Sequence, residues 1–224
     1  MPFLIVLCIL LALMFGPYWL AEYVLKKYNQ VEYFSGNGFD FVRFALNELN
    51  ITHIKVEKSP VGDHYSPDKK MIGLTEKNCG KRSLTAVVVA AHELGHAIQD
   101  DIGYKPLHIR MHLANIAEKM RKLGFALIIL MPFVTLITRV PAAGFFSLLT
   151  GLLIVVAPVF VHLITLPVEF NASFEHAIPL LVKGNYIPED DYPAAKRILL
   201  ACSFTYVASS LFSILYAWRR MRIR

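Results

Sequence analysis

The chain has 224 residues, enough for one domain or for one domain together with membrane segments. Hydrophobic residues make up 55% of it and the mean hydropathy is +0.47, which is too apolar for an ordinary soluble domain. The formal net charge is +6, but no basic stretch is interleaved with aromatic residues. We therefore exclude nucleic acid as a partner and attribute the basic excess to residues that flank membrane segments. The three cysteines, Cys8, Cys79 and Cys202, form no C-x-x-C motif, so neither disulfides nor a cysteine metal site are expected.

The first predicted element is a transmembrane anchor over residues 1–25. Phe3 to Trp19 is almost unbroken apolar sequence, and no basic residue precedes it. Aromatic residues end the run and Lys26-Lys27 follow it, which is typical of an uncleaved helix and not of a signal peptide. This pattern predicts that the N-terminus lies outside the cell and that the two lysines lie in the cytoplasm.

Residues 26–122 are the polar part of the chain, and we expect them to form the cytoplasm-facing catalytic part. The predicted elements are a helix around 41–49, short strands at 53–57 and 71–74, turns at 59–63 and 64–68, a helix from Leu84 to about Gln99 that Ser83 would cap, and a helix over 107–121.

The longest of these helices carries the sequence His92-Glu93-Leu94-Gly95-His96. In a helix His92 and His96 lie one turn apart on the same face, where two imidazoles can hold one Zn²⁺. Glu93 can take a proton from a water bound to that metal, so the pattern is the H-E-x-x-H motif of zinc metalloproteases. The alternative is a surface helix with two histidines. The apolar run from Thr85 to Ala91 argues against it, because buried imidazoles need partners.

A second histidine pair, His108 and His112, also has helical spacing, but it lacks an adjacent glutamate and lies among basic residues. A solvated helix face is the favoured interpretation for this pair, and a strand surface is favoured for His53.

Residues 123–167 are predicted to form a transmembrane hairpin with a break at Arg139-Val140-Pro141. Basic residues precede it and only Arg139 lies at its tip, so both ends are expected in the cytoplasm. Residues 168–197 follow as a segment and loop, and residues 198–224 as an apolar helix with a basic tail. Four spans that start outside would place that tail outside, against the positive-inside rule. This conflict leaves three or four spans open.

A catalytic zinc site usually has three protein ligands and one open position. Gln99 and Ile102 stand where the metzincin motif has Gly and His, which excludes that class. Glu118 and Glu169 are the candidates for the third ligand. Glu169 is favoured because it follows the hairpin at the cytoplasmic surface, where a glutamate at the end of a membrane helix is a functional candidate.

The motif, the Asp63-His64-Tyr65 element and the stretch from Leu166 to Ser173 together resemble the YugP-type neutral zinc metallopeptidases, which are small bacterial membrane proteins. The layout is also similar to that of the HtpX-like membrane proteases, in which a membrane hairpin separates the H-E-x-x-H helix from a glutamate in an E-x-x-A-D motif. The chain departs from that motif by having Ser173 where the aspartate stands.

The resemblance implies a mainly α integral membrane protein, with a zincin-like catalytic domain of short strands and the H-E-x-x-H helix on three to four transmembrane helices. It implies a zinc endopeptidase of the bacterial inner membrane, and the positions of the basic residues predict that its active site faces the cytoplasm. Protein or peptide substrates, including membrane proteins, and the lipid bilayer would be its partners.

As a mechanism we expect Zn²⁺ on His92, His96 and Glu169, with Glu93 as the base that activates the zinc-bound water. His64, Tyr65 and His176 are the candidates for stabilising the oxyanion. By analogy with zinc proteases, Met71–Leu74 would be an edge strand that binds extended peptide.

Two other functions remain open. The first is a non-catalytic membrane scaffold or chaperone-like protein with a structural metal site. Such a site would normally have four protein ligands and no adjacent base. The second is a hydrolase that cuts within the bilayer, which would require the motif to lie in a transmembrane helix.

Overall fold

The computed structural model describes residues 16, 18–30 and 34–204. The predicted anchor lies largely outside these residues, as does the last helix beyond residue 204. The helices are α1 (18–27), α2 (Gly38–Glu48), α3 (Glu76–Cys79), α4 (Leu84–Asp101), α5 (Lys105–Thr138), α6 (Pro141–Phe170), a π-helix (Asn171–Ala177), α7 (Ile178–Lys183), a 3-10 turn (Glu189–Asp191) and α8 (192–204). The strands are β1 (Lys55–Lys58), β2 (His64–Ser66) and β3 (Met71–Leu74). The prediction of a mainly helical chain with a small sheet is confirmed.

The described chain divides into two compact units. Unit 1 contains the residues up to Leu107 and those from Leu166 onward to the end of the described part of α8. Unit 2 contains His108–Thr165. Both long helices, α5 and α6, begin in one unit and end in the other.

Helix α4 is the centre of unit 1. Its residues from Leu84 to Ala97 are all buried. Ser83 caps it as predicted, because its Oγ accepts a hydrogen bond from the Ala86 N–H at 3.2 Å. The same hydroxyl donates to the side chain of Asn29, and the Thr85 hydroxyl donates to the Leu25 carbonyl at 2.8 Å. These bonds fix the end of α1 to the start of α4.

Helix α2 packs its apolar face on this centre. Asn37 and Asp40 form a capping box, in which each side chain accepts a hydrogen bond from the other's backbone N–H at 2.9 and 3.1 Å. The buried residues Phe41 and Ala45 lie one helical turn apart, and Val42 is buried next to Phe41. These three residues therefore belong to one face of the helix.

The sheet has the strand order β1-β3-β2, with β1 parallel and β2 antiparallel to β3. The prediction of Met71–Leu74 as an edge strand is therefore wrong, since both of its edges are already paired. The free edges belong to β1 and to β2, a strand that the sequence suggested to be a turn because Pro67 and Asp68 follow it.

Unit 2 is a helical hairpin. The predicted break occurs at Arg139, whose φ of 56° lies in the left-handed region. Helices α5 and α6 approach closely, since a Cβ at Gly151 would lie 2.8 Å from the Gly124 carbonyl oxygen. The Ser147 hydroxyl donates to the Leu127 carbonyl at 3.0 Å. The separate helix predicted over 107–121 is in fact the first half of the continuous helix α5.

Candidate metal centre and active site

Two histidines from α4 and a glutamate from the end of α6 lie together inside unit 1. The Nε2 atoms of His92 and His96 are each 3.3 Å from Oε2 of Glu169. Candidate ligand atoms of the three residues all lie within 4.8 Å of one another, and the residues are 3%, 4% and 1% exposed. Within the described ranges, this is the group of His, Cys or carboxylate residues whose spacing fits one metal ion.

A close backbone contact brings Glu169 to the histidines. Gly95 lies between His92 and His96, and a Cβ at this position would be 2.4 Å from the Ala172 carbonyl oxygen. Any side chain here would push the two segments apart, because backbone atoms cannot yield as a flexible side chain can. Glycine therefore allows the short glutamate side chain to reach both imidazoles.

The segment that follows Glu169 is a π-helix. Its last hydrogen bond runs from the Ile178 N–H to the Ser173 carbonyl, five residues back. Such wide turns inside α-helices are rare and occur frequently at functional sites. Here the π-helix directs the side chains of Asn171 and Ser173 toward α4, where they contact Gln99 and His92.

Gln99 orients His96. The Gln99 Nε2 group donates to the Val168 carbonyl at 2.9 Å and to Asn171 Oδ1 at 2.8 Å. These two acceptors turn the Gln99 carbonyl toward His96 Nδ1, which lies 2.9 Å away. A carbonyl oxygen only accepts, so Nδ1 carries the proton, and the neutral form of the ring has its lone pair on Nε2, the atom that faces Glu169.

Ser173 contacts His92 in the same way, with its Oγ 2.9 Å from His92 Nδ1. This is the position at which the E-x-x-A-D motif has an aspartate. A neutral hydroxyl therefore stands where the HtpX-like proteases have a carboxylate.

The donor set fits zinc. Two imidazole nitrogens and one carboxylate are the ligands that catalytic zinc sites use, with a fourth position left for water or substrate. Hydrogen bonds from the distal ring nitrogens to buried acceptors are the usual support of such ligands. Burial of a carboxylate between two imidazoles is costly unless a cation compensates its charge.

Glu93 directly follows His92 in the buried part of α4 and is 7% exposed. Its carboxylate therefore belongs to the same turn of helix as the first histidine. That is the position in which a general base can reach a water at the metal.

Tyr65 has a definite partner at the other end of α4. Its hydroxyl donates to Asp100 Oδ2 at 2.5 Å, and Lys70 Nζ contacts the same oxygen at 2.7 Å. Burial, together with the hydrogen bond to Asp100 and the negative charge of that residue, raises the pKa of Tyr65 well above its ordinary value. The phenol therefore keeps its proton at neutral pH and donates it in the hydrogen bond to Asp100, and this contact fixes β2 to α4.

His64 precedes Tyr65 on β2 and has its contacts within the turn before that strand. Its Nδ1 lies 3.0 Å from the Gly62 carbonyl oxygen and 3.5 Å from Ser59 Oγ. Its ring covers Gly73, where a Cβ would be 2.7 Å from His64 Cε1. The oxyanion role suggested for His64 and Tyr65 stays a prediction.

His176 lies on the π-helix and is half-buried. Burial lowers the pKa of His176, and the Glu175 carboxylate opposes this effect. The oxyanion role suggested for His176 stays a prediction.

Three other histidines and Glu118 have different surroundings. His108 and His112 are exposed, and His53 Nε2 lies 3.6 Å from Asp101 at the surface. Glu118 forms an ion pair with Arg121, three residues along α5, at 2.6 Å.

Sequence reasoning did not assign a role to Gln99, although its spacing of three residues from His96 places the two on one helix face. It also gave no role to Ser203, which lies 3.1 Å from Ser173. No local pattern marks that serine, because its partner is 30 residues away in the chain.

Comparison with known proteins gives two matches. A family described as "Putative neutral zinc metallopeptidase" matches residues 3–224. A protein of Bacillus subtilis (strain 168) named "Putative membrane protease YugP" is 33% identical over 195 residues, which cover 84% of this chain and 81% of that protein. No solved structure matches the chain.

The close contact at Gly95 leads us to expect that adding one methyl group at this position weakens zinc binding. Gly95→Ala should displace the π-helix and move Glu169 away from the histidines, so that zinc affinity falls by at least about tenfold. Competition with a chromogenic chelator measures this affinity. Gly80→Ala is the control, because its Cβ would meet the nearest carbonyl oxygen at an ordinary 3.7 Å. Equal affinity in both variants would show that the close contact does not set the ligand geometry.

The hydrogen bond of Tyr65 predicts a loss of stability. Tyr65→Phe leaves the buried Asp100 with one donor fewer, which should lower the free energy of unfolding by about 1–3 kcal/mol. Denaturant unfolding in detergent measures this change, and zinc content should stay that of the parent. A variant with unchanged stability but lost proteolysis would instead support the oxyanion role.

Proposed function

The chain belongs to the family of neutral zinc metallopeptidases, and we propose that it is a membrane-anchored zinc endopeptidase with His92, His96 and Glu169 as metal ligands and Glu93 as general base. The family expected from the sequence is confirmed, and its cofactor is zinc. The observation that carries the proposal is the buried cluster of two imidazoles and one carboxylate on the H-E-x-x-H helix.

The metal, when bound, would polarise the substrate carbonyl and lower the pKa of a water molecule at the open position. Glu93 would accept a proton from the attacking water and deliver it to the nitrogen of the leaving amine. Gln99 and Ser173 would hold the two imidazoles in the orientation that presents Nε2. His176 or His64 would donate a hydrogen bond to the oxyanion, and Tyr65 would do so only after its hydroxyl turned away from Asp100.

The number of ligands supports catalysis over a purely structural site. Structural zinc sites have four protein ligands, whereas the residues that the structure describes group three, with a carboxylate next to the first of them. A non-catalytic scaffold would need neither the open position nor Glu93.

We propose that substrate binds along the free edge of β2, since β3 is already paired on both sides. β2 begins at His64 and is fixed to α4 through Tyr65 and Asp100. An extended peptide could pair with this edge as an additional strand. It would then lie beside β2, which the Tyr65–Asp100 contact holds against α4.

Membrane association is indicated by the relative's name and by α5, the one described helix long and apolar enough to cross a bilayer. Pro141–Ile154 is a shorter apolar stretch in α6. Large apolar side chains are exposed along both helices of the hairpin, among them Phe133, Leu136, Ile137, Phe145, Phe146 and Leu153. We propose a multi-pass protein of the bacterial inner membrane, with the hairpin in the bilayer and unit 1 in the cytoplasm.

Metal analysis and a casein assay test the catalytic proposal. We expect about one zinc per chain in the parent and in Glu93→Gln, and none in Glu169→Ala, because only the last variant loses a ligand. Glu93→Gln should lower the rate of casein cleavage by about 10²–10⁴-fold, since the base is lost and the metal is kept. Glu118→Ala is the matched control and should keep both zinc and activity. A parent that binds zinc but cleaves no peptide would favour the scaffold, and full activity in Glu93→Gln would show that Glu93 is not the general base.

Cysteine labelling tests the topology. Val140→Cys at the hairpin tip and Val61→Cys in unit 1 replace residues that are 49% and 84% exposed, in a Cys8→Ala background. The described cysteines, Cys79 and Cys202, are buried and should not react. A membrane-impermeant maleimide should label Val140→Cys on intact spheroplasts and Val61→Cys only after lysis. The reverse pattern would place the active site outside.

A further inference from the structure

Two buried serines connect His92 to helix α8. The Ser173 Oγ lies 2.9 Å from His92 Nδ1 and 3.1 Å from the Ser203 Oγ. The Ser203 Oγ donates to the Leu199 carbonyl, one helical turn back, at 3.0 Å. Both serines have 0% of their surface exposed. The result is a chain of three hydrogen bonds from the ring of a ligand histidine to a backbone carbonyl.

The direction of every bond in this chain follows from counting protons. A carbonyl oxygen has no proton, so the Ser203 hydroxyl must donate to Leu199. Ser203 has then used its proton and can only accept from Ser173. Ser173 in turn can only accept from His92, so His92 Nδ1 carries the proton. The neutral ring, which is the form that binds a metal, therefore has its lone pair on Nε2, the atom that faces Glu169.

We propose that Ser203 is a positioning residue for the zinc site. Through Ser173 it fixes the tautomer and the ring orientation of His92, and the Leu199 carbonyl is the fixed end of this hydroxyl relay. The inference rests on the proposed function in taking zinc as the ion that His92 binds. It extends that function to helix α8, whose position then determines how one ligand is presented.

Charge explains why a relay of hydroxyls suits this site. Glu169 and Glu93 already bring two buried carboxylates, at 1% and 7% exposure. An aspartate at position 173 would add a third negative charge to the same interior, with a large cost of desolvation. Two serines and a backbone carbonyl orient the imidazole without adding any charge, and Gln99 does the same for His96.

The experiment compares Ser203→Ala, Ser203→Thr and Ile198→Val. Ser203→Ala removes the acceptor of Ser173 and should weaken zinc binding by about tenfold, the lower limit for losing an outer contact. Ser203→Thr keeps a hydroxyl and should restore the affinity of the parent. Ile198→Val removes a buried methylene from the same helix outside the relay, so it should alter unfolding but not affinity. Chelator competition gives the affinity of each purified variant.

A second measurement determines the tautomer of His92 in the zinc-free protein. Nitrogen-15 spectra of the histidine side chains should show the Nδ1–H form of His92 in the zinc-free parent, and a mixture of tautomers in Ser203→Ala. If Ser203→Ala keeps both the tautomer and the affinity of the parent, the relay does not position His92. If the parent binds no zinc but shows the tautomer shift, the proposed function fails while the relay stands. If Ser203→Ala does not fold, loss of affinity in Ser203→Thr would overturn the proposal.

Discussion

The contact between Gly95 and the Ala172 carbonyl is the constraint on which the site depends. It allows the backbone of the π-helix to lie directly on α4 between the two histidines. A glutamate has a short reach, so the carboxylate of Glu169 meets both imidazoles only at this separation. The cap at Ser83, the bonds from α1 and the packing of α2 all hold α4 in place for that contact. Much of unit 1 thus serves to fix one helix against one irregular turn.

The local features of the site could be predicted from the sequence, and the features that join distant segments could not. The cap at Ser83 and the hairpin break at Arg139 follow from nearby residues, and the histidine pair follows from its spacing. The choice of Glu169 required an argument about topology, and the structure places that residue beside the pair.

The central position of β3 was missed because strand order depends on pairing across the sheet and leaves no mark in one strand's pattern. The continuity of α5 was missed for a different reason. The change from polar to apolar residues near Gly124 suggested a boundary, but a change in environment along a helix needs no break in its hydrogen bonds. The π-helix and Ser203 likewise depend on partners far away in the chain.

The site also separates its charges by position along α4. Around His92 and His96 the supporting groups are an amide and two hydroxyls, so the carboxylates and the metal alone set the local charge. At the far end of the helix, Asp100 receives a phenol and the ammonium group of Lys70. Two carboxylates therefore lie in the pocket of the candidate ligands, and one turn beyond it α4 carries an aspartate whose charge Lys70 compensates.

The position of the hairpin in the chain determines when during synthesis the pocket can form. His96 and Glu169 are 73 residues apart, and the hairpin, His108–Thr165, is translated between them. A ribosome releases the histidines first, then the two long apolar helices, and only afterwards the carboxylate and the serines. The nascent chain consequently has no complete ligand cluster until its hairpin has already emerged, so the three candidate ligands meet only after both long apolar helices have been made.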